Sequence, residues 1–255
     1  MTLFDLAGKT ALVTGGGSGI GRQMAEGLAE MGANLVLCAR KAERCEQAAA
    51  ELSELGVTAL GMRCDVREPG EVQAVVERAR TELGGIDVLV NNAGTVWGDA
   101  PEDVPLEGWQ KVIDVNLTGV FLVAQAVGRT MIDRGAGGKI VNIASVAGLG
   151  GAPQELMNAI PYSTSKGGVI AFTRDLACKW ARHGINVNAI APGWFPTDMS
   201  GQVLEARGDT IIQHIPLARF GGPQDLKGAV VFHASAASDY VTGHTLVVDG
   251  GESAW

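Results

Sequence analysis

The chain lacks the features that mark several functional classes. Its 255 residues carry 20 lysines and arginines against 28 aspartates and glutamates, a net charge of -8. Such a surface repels a phosphate backbone, so nucleic acid is not an expected partner. No stretch approaches the ~18 consecutive apolar residues of a membrane span, and the N-terminus has no long apolar run. We therefore expect no membrane association and no export.

Cysteine and histidine are also scarce. The four cysteines form no CxxC pair, and Cys38 and Cys64 lie in apolar runs, which favours reduced, buried thiols in a cytoplasmic protein. The four histidines lack metal-ligand spacing, so no metal site is expected. No Pro/Ser-rich linker, low-complexity tract or repeat divides the chain, which predicts a single domain over residues 1–255.

Short β-rich runs alternate with longer helical patterns along the whole chain. The candidate strands are Thr10–Thr14, Asn34–Ala39, Thr58–Val66, Val88–Asn91, Lys139–Ala144, Asn186–Ala191 and Thr245–Val248. Strands separated by helices predict a parallel sheet. Their lack of polar alternation indicates that helices cover both faces. The predicted fold is α/β, a Rossmann-type, doubly wound sheet of seven parallel strands.

A glycine-rich turn follows the first strand and precedes a helical pattern that runs from Arg22 to Glu30. Glycines let the backbone approach a pyrophosphate closely, and the N–H groups and dipole of the helix favour its negative charge. An ordinary turn would also use glycines, but the strand before and the helix after favour dinucleotide binding. The predicted cofactor contacts here are Gly15, Gly17, Ser18, Gly19, Ile20 and Gly21.

The end of the second strand indicates which dinucleotide is bound. Ala39 stands where NAD-binding units usually place an acid for the ribose 2′-hydroxyl, and Arg40 follows. The planar donor fork of Arg40 suits a 2′-phosphate, and Lys41 and Arg44 add positive charge. We therefore expect NADP, with NAD as the alternative if these side chains are only a solvated basic helix start.

Two further strand ends carry polar or small residues. Asp65, followed by Val66, is placed to accept a hydrogen bond from an adenine amine, or it forms a simple turn. Asn92, Ala93 and Gly94 follow the fourth strand, near the point where the sheet changes winding direction and ligands usually bind. We predict cofactor contacts at these positions.

Tyr162 and Lys166 are one helical turn apart, so a phenol and an ammonium share one helix face. An unperturbed tyrosine titrates near ~10. A unit charge ~4 Å away at an effective dielectric of ~20 contributes about 4 kcal/mol, enough to lower that pKa toward neutrality. The same spacing occurs by chance on many helices. The other motifs of the chain favour the functional interpretation of this pair.

Together these motifs resemble the short-chain dehydrogenase/reductase family. The resemblance covers nearly the whole chain and rests on the residues Thr14 to Gly21, Asn91 to Gly94, Asn116, Ser145, Tyr162 with Lys166, and Pro192 with Gly193, which occur in the family's order. It implies hydride transfer between a nicotinamide and a ketone or secondary alcohol. It also implies a homotetramer.

The resemblance implies a role for each catalytic position. Tyr162 gives or takes the proton of the substrate oxygen, and Ser145 is the second donor to that oxygen. Lys166 binds the nicotinamide ribose and lowers the pKa of Tyr162, while Asn116 holds a water on the proton path. Tyr162 is also expected to contact the cofactor. The segment that orients the nicotinamide carboxamide would be Pro192, Gly193 and Thr197.

Two segments are expected to shape the substrate pocket. Ser145 and Tyr162 are 17 positions apart, several more than family members usually show, and the extra residues fall in 150–161. Residues 194–217 are helix-prone and partly apolar, and the resemblance implies a lid that excludes water. Aromatic and apolar walls are predicted from Trp97, Met157, Trp194 and Phe195, each of which could instead be a core or interface residue.

The substrate stays open between two classes. Overall similarity favours a 3-oxoacyl reductase-like enzyme, and the apolar lid suits a hydrophobic ketone. The runs at 191–197 and 225–228 also resemble gluconate 5-dehydrogenase-type enzymes, whose sugar acid would need a basic group such as Arg207 or Arg219. A non-catalytic NADP-binding scaffold is a remote alternative, because Asn116, Ser145 and the Tyr162–Lys166 pair are all present.

Overall fold

The fold is a parallel sheet between two layers of helices. The computed structural model describes residues 3–255. The strands are β1 (Thr10–Thr14), β2 (Asn34–Ala39), β3 (Ala59–Arg63), β4 (Val88–Asn91), β5 (Gly138–Ile143), β6 (Ile185–Pro192) and β7 (Thr245–Val248). They are paired in the order β3-β2-β1-β4-β5-β6-β7, and every pair is parallel. The predicted Rossmann-type fold is confirmed.

Within residues 3–255, eight α-helices connect and cover the strands. They are α1 (Gly19–Glu30), α2 (Ala42–Ser53), α3 (Pro69–Leu83), α4 (Leu106–Ile113), α5 (Gly119–Arg134), α6 (Ile160–Trp180), α7 (Gly201–Ile212) and α8 (Lys227–Ala234). A π-helical turn at Asp114–Thr118 joins α4 to α5. The combined helix Leu106–Arg134 is long and apolar enough to span a membrane by length and composition alone, yet 44% of its most apolar window is buried inside the protein. A core helix of this fold meets the same criteria.

Alternate residues of the central strands face two separate cores. On β1, Ala11 and Val13 pack in the cluster that includes α1, α2 and α8, whereas Leu12 packs in the cluster that includes α3 and α5. Both faces are therefore apolar, which explains why the sequence shows hydrophobic runs without alternation. This packing holds the strand ends at fixed positions.

Several predicted boundaries shift. The run Thr58–Val66 forms a strand only over Ala59–Arg63, because Asp65 starts a turn in which its Oδ1 accepts from the Arg67 backbone N–H at 3.1 Å. The helix after the glycine turn begins at Gly19 rather than Arg22. Gly19 and Gly21 therefore belong to the first helical turn, where N–H groups face an anion.

The strand order places a crevice at the centre of the sheet. β1 pairs with β2 on one side and β4 on the other, so the chain reverses its winding direction between β3 and β4. In such sheets the carboxyl ends of the strands on either side of the reversal form a binding crevice. The ends of β1, β2, β4, β5 and β6 all supply residues to one large cleft of about 1900 Å³.

Candidate active site

The floor of the cleft is the glycine turn, held by Asn92 and Thr14. The Asn92 side-chain amide donates to the Thr14 carbonyl at 2.9 Å and to the Gly15 carbonyl at 3.3 Å. A Cβ at Gly21 would lie 2.4 Å from both Asn92 Nδ2 and the Gly15 carbonyl oxygen. Only glycine fits there, and the close packing leaves the cradle that a pyrophosphate needs.

Thr14 begins the glycine motif of the sequence, but its own role was not predicted. Its hydroxyl oxygen accepts from the backbone N–H of Asn92 at 2.9 Å and of Ala93 at 3.0 Å. The end of β4 is thereby fixed to the end of β1 across the crevice. A threonine as the last residue of a strand, directly before the glycines, is the signal that could have indicated it.

Cys45 supports the same turn from α2. A Cβ at Gly17 would lie 3.0 Å from Cys45 Sγ, and the Gly17 backbone N–H donates to that sulfur. Burial outweighs this hydrogen bond and raises the pKa of the Cys45 thiol to about 11. The thiol is thus a neutral packing group beneath the turn. Cys38 and Cys64 are buried as expected.

At the adenosine end, Asp65 is held by Arg67. The Arg67 guanidinium donates to both carboxylate oxygens, with the shortest contact at 2.6 Å. This pairing lowers the pKa of Asp65. Asp65 forms the turn described above, and it also lines the cleft together with Val66.

Arg40 is exposed at the rim of the cleft beside Ala39 and Lys41, all of which line it. Arg44 has a different role from the one expected, since it forms a 2.8 Å ion pair with Asp198. That pair connects α2 to the segment after β6, and the Asp198 carboxylate compensates the charge of Arg44. Of the three basic residues predicted near a 2′-phosphate, Arg40 is the guanidinium without a carboxylate partner among residues 3–255.

Ser145, Tyr162 and Lys166 come together where β5 and α6 meet. Ser145 follows β5, is 9% exposed and accepts from the Ala147 backbone N–H at 3.2 Å. On α6 the Lys166 ammonium lies 5.6 Å from the centre of the Tyr162 ring and donates to the Ile143 carbonyl at 2.6 Å. All three side chains line the cleft.

Burial sets the electrostatics of this group in the protein alone. Burial raises the pKa of Tyr162, and a hydrogen bond with Ser145 lowers it in part. Burial also lowers the pKa of Lys166 to about 8. Withdrawal from water thus dominates both side chains in the protein alone, and the lowering of the Tyr162 pKa by Lys166 together with a positively charged nicotinamide stays a prediction.

Asn116 lies in the π-helical turn and is fully buried. Its carbonyl oxygen accepts from the Thr95 N–H at 2.8 Å, and its amide donates to the Thr95 carbonyl at 2.9 Å and to the Ser165 hydroxyl at 3.0 Å. The widened turn places this side chain beside Gly94, where a Cβ would lie 3.5 Å from Asn116 Oδ1 and 3.9 Å from Lys166 Nζ. Such turns often occur at functional sites.

The segment after β6 lines the cleft and contacts both the end of β7 and the glycine turn. Pro192 ends the strand, and the Gly193 N–H donates to the Val248 carbonyl at 3.0 Å. A Cβ at Gly193 would lie 2.8 Å from the Cβ of Asp249, so this close approach requires glycine. Thr197 reaches the glycine turn, since a Cβ at Gly19 would lie 3.3 Å from its methyl group.

Of the predicted apolar walls, Met157, Trp194 and Phe195 line the cleft. Trp97 does not: its ring packs over Gly108, with the Lys111 ammonium 5.4 Å from its centre. This prediction is wrong because the helix α4 covers the indole. The segment with extra residues forms a wall, with 149–153 and 156–159 lining the cleft.

The C-terminal residues also reach the cleft, which the sequence did not indicate. Glu252, Ser253 and Trp255 line it. The Trp194 indole N–H donates to Glu252 Oε1 at 3.0 Å, and the Trp255 indole N–H donates to the His214 carbonyl at 3.2 Å. Burial raises the pKa of Glu252. Only the tertiary structure brings this segment to the site.

Comparison with known proteins agrees with the geometry. Residues 9–208 match the family described as short chain dehydrogenase. The 5-keto-D-gluconate 5-reductase of Escherichia coli K12 is 44% identical over 98% of this chain and 97% of its own length. The 3-oxoacyl-(acyl-carrier-protein) reductase of Synechocystis is 40% identical over 96% of this chain and 97% of its own.

A solved structure extends the comparison to the fold. A gluconate 5-dehydrogenase from Burkholderia cenocepacia, in complex with NADP and tartrate, superposes with a TM-score of 0.93 at 40% identity, over 99% of this chain and 98% of that one. The predicted resemblance is confirmed. The chain belongs to the short-chain dehydrogenase family and is an oxidoreductase that acts on CH–OH groups with a nicotinamide cofactor.

Proposed function

We propose that the enzyme interconverts a ketone and a secondary alcohol with NADP(H), using Tyr162 as acid and base. The observation that carries this proposal is the convergence of Ser145, Tyr162 and Lys166 on one cleft. The nicotinamide supplies or accepts the hydride. Two hydroxyls directed at one substrate oxygen stabilise the charge that develops on it.

Each side chain has a distinct task in this mechanism. In reduction Tyr162 donates its proton to the substrate oxygen, and its raised pKa keeps the phenol protonated at neutral pH. Lys166, fixed by the Ile143 carbonyl, holds the ribose hydroxyls with its remaining donors. Both amide donors of Asn116 and one acceptor position of its oxygen are used by Thr95 and Ser165, so the side chain fixes the backbone beside the proton path, where we propose that a water is held.

The cofactor preference rests on the end of β2. No carboxylate follows this strand within Ala39, Arg40 and Lys41, and the structure from Burkholderia cenocepacia is described with NADP. Arg40→Ala should raise the KM for NADPH by about 10- to 100-fold, the loss of a charge-assisted hydrogen bond. The KM for NADH should change little. Equal changes for both dinucleotides, or a preference of the unmodified enzyme for NADH, would refute the assignment.

For the substrate, we propose a small polyhydroxylated carboxylate of the gluconate type. The relatives from Escherichia coli and Burkholderia cenocepacia are both named for gluconate chemistry. A hydrophobic or 3-oxoacyl ketone is the second candidate, because several apolar side chains line the cleft: Val96, Leu149, Leu156, Met157, Met199 and Val203. The Synechocystis relative carries that name.

A substrate panel separates the two candidates. The enzyme is assayed with NADPH on 5-keto-D-gluconate and on a 3-oxoacyl thioester, at matched concentrations. We expect kcat/KM to be at least tenfold higher for the sugar acid. The reverse ratio would replace the first candidate with the second, and turnover of neither would refute both.

We further propose a single domain in which residues 194–217 act as the lid. The ion pair of Arg44 with Asp198 and the packing of Thr197 on Gly19 join the start of this segment to the glycine turn. A cytoplasmic location fits the three buried thiols. Cell fractionation that recovers the enzyme outside the cytoplasm would contradict this location.

A further inference from the structure

The lid helix α7 turns one face toward the cleft. Gln202, Val203, Ala206 and Arg207 all line it, and their spacing of three and four is that of one helix face. Three of these side chains are neutral. Arg207 is the cation that this face presents to the substrate end of the site.

The guanidinium of Arg207 is held in place by backbone. Its Nη1 donates to the carbonyls of Gln154 and Glu155, each at 3.0 Å. Both carbonyls belong to the segment that carries the extra residues between Ser145 and Tyr162. Two carbonyl acceptors on one nitrogen fix the plane of the group and leave its other nitrogens as donors.

Apart from Arg40, which lies at the adenosine end, the other arginines at or near the cleft are neutralised. Arg44 pairs with Asp198, Arg67 with Asp65, and Arg219 with Asp225 at 2.6 Å, and Arg219 does not line the large cleft. Arg207 has no carboxylate within ion-pair distance among residues 3–255. An arginine that lacks an anion and is oriented by its neighbours suits a ligand carboxylate, which accepts the guanidinium fork.

We propose that Arg207 recognises the carboxylate of the substrate and that the segment 149–159 orients it for that purpose. This inference rests on the proposed function. It assigns to Arg207 the preference of the enzyme for a substrate that carries a carboxylate. The Arg207 contact is a binding contact at the end of the substrate away from the reacting carbon. Its loss therefore acts mainly on KM and much less on kcat.

The test compares substrates that differ in one group. 5-Keto-D-gluconate carries a carboxylate where L-sorbose has CH₂OH, and D-gluconate and D-sorbitol form the same pair for inhibition measurements that need no turnover. Arg207→Gln should raise the KM for the keto acid and the inhibition constant of D-gluconate by about 10- to 100-fold. The constants for the neutral partners should change less than about threefold, the scale of an ordinary surface substitution.

Two variants serve as controls. Arg207→Lys keeps the charge without the fork and should fall between the wild type and Arg207→Gln. Lys111→Gln removes a different cation that lines the cleft, on α4. It should leave the ratio between the constants for the acids and those for the neutral compounds unchanged. The KM for NADPH should be unaffected in every variant.

The outcomes are distinguishable. An equal loss for acid and neutral compounds means that Arg207 only holds the lid to the segment 149–159, and the inference fails. It also fails if Arg207→Gln changes neither constant, or if Lys111→Gln shows the acid-selective loss instead. A wild-type enzyme that neither reduces 5-keto-D-gluconate nor binds D-gluconate would refute the proposed gluconate-type substrate itself.

Discussion

At the scale of single residues, the chain offers its own control for the proposed proton transfer. Its two tyrosines are Tyr162, which lines the cleft, and Tyr240, which is fully exposed. Tyr162→Phe removes the hydroxyl that exchanges the proton and keeps the ring. We expect kcat to fall by about 10²- to 10⁴-fold, the range for a general acid.

Binding separates a chemical from a structural effect of that change. The affinity for NADPH, measured by quenching of tryptophan fluorescence, should stay within about twofold of the wild type, because the ring of Tyr162 is kept. Tyr240→Phe should change neither quantity. If Tyr162→Phe retains more than a tenth of the wild-type turnover, another group must carry the proton.

The raised pKa of Tyr162 predicts a pH dependence. A raised pKa keeps the phenol protonated at neutral pH, so reduction is sustained there and declines as the pH rises through that pKa. Oxidation needs the phenolate and therefore increases over the same range. Ser145 lowers the pKa, so Ser145→Ala should move the alkaline limb of both profiles to higher pH and reduce kcat by about 10²-fold.

The profiles of kcat/KM for both directions, recorded on the wild type and on Ser145→Ala, check this expectation. Thr164→Ala is a suitable control, because Thr164 is an exposed hydroxyl on the same helix. A shift of the limbs toward lower pH in Ser145→Ala would show that the serine disfavours the phenolate, contrary to the geometry.

Sequence reasoning at this scale indicated cleft residues where they belong to a local motif. The glycine turn, Ser145 and Tyr162 all line the cleft, because a position relative to a strand end or helix turn is local information. The Arg67 partner of Asp65 was missed although it lies only two residues away. The cover over Trp97 was missed because its packing on Gly108 depends on how α4 folds back over the indole. The balance of desolvation and charge at Tyr162 depends on burial in the same way.

At the scale of elements, the junction of β1, α1 and β4 forms the proposed cofactor cradle. Gly21→Ala places a Cβ 2.4 Å from Asn92 Nδ2 and the Gly15 carbonyl, so the turn and the end of β4 must move apart. We expect the free energy of unfolding to fall by about 1–3 kcal/mol, the usual cost of overpacking. The KM for NADPH should rise more than about tenfold, because misplaced backbone donors weaken charge-assisted hydrogen bonds.

Chemical denaturation and steady-state kinetics measure both effects. Gly70→Ala is the matched control, since a Cβ at this helical position in α3 meets nothing within 4 Å. Its stability should change by less than about 0.5 kcal/mol, as for surface substitutions. A Gly21→Ala enzyme with normal stability and normal KM would show that the packing at this junction is not needed.

The elements themselves were largely predictable. All seven strands occur where the β-rich runs indicated, because both faces of the sheet are buried and each strand is a hydrophobic run. The ends of the strands were predicted less accurately, as at β3, where the turn at Asp65 ends the pairing of the strand. The approach of the C-terminal residues to the cleft was not predictable, because the contacts of Trp194 with Glu252 and of Trp255 with His214 join distant parts of the chain.

At the scale of the whole molecule, the resemblance implies a homotetramer, and several large apolar side chains remain exposed on one chain. Leu106 on α4 is 78% exposed, and Phe121 on α5 and Ile160 at the start of α6 are each 44% exposed. Exposed apolar residues on neighbouring helices are typical of a protein–protein contact. We propose that this surface, defined by Leu106, Phe121 and Ile160, joins subunits.

Sedimentation equilibrium at micromolar concentration should give a mass about four times the 26.4 kDa of one chain. Phe121→Lys puts a charge into the proposed contact, and an unpaired buried charge costs several kcal/mol, so the mass should fall to that of a smaller assembly. Leu55→Lys, at a residue 50% exposed beyond the end of α2, should leave the mass unchanged. A wild-type enzyme that is monomeric yet fully active would refute the tetramer, and unchanged assembly in Phe121→Lys would place the contact on another face.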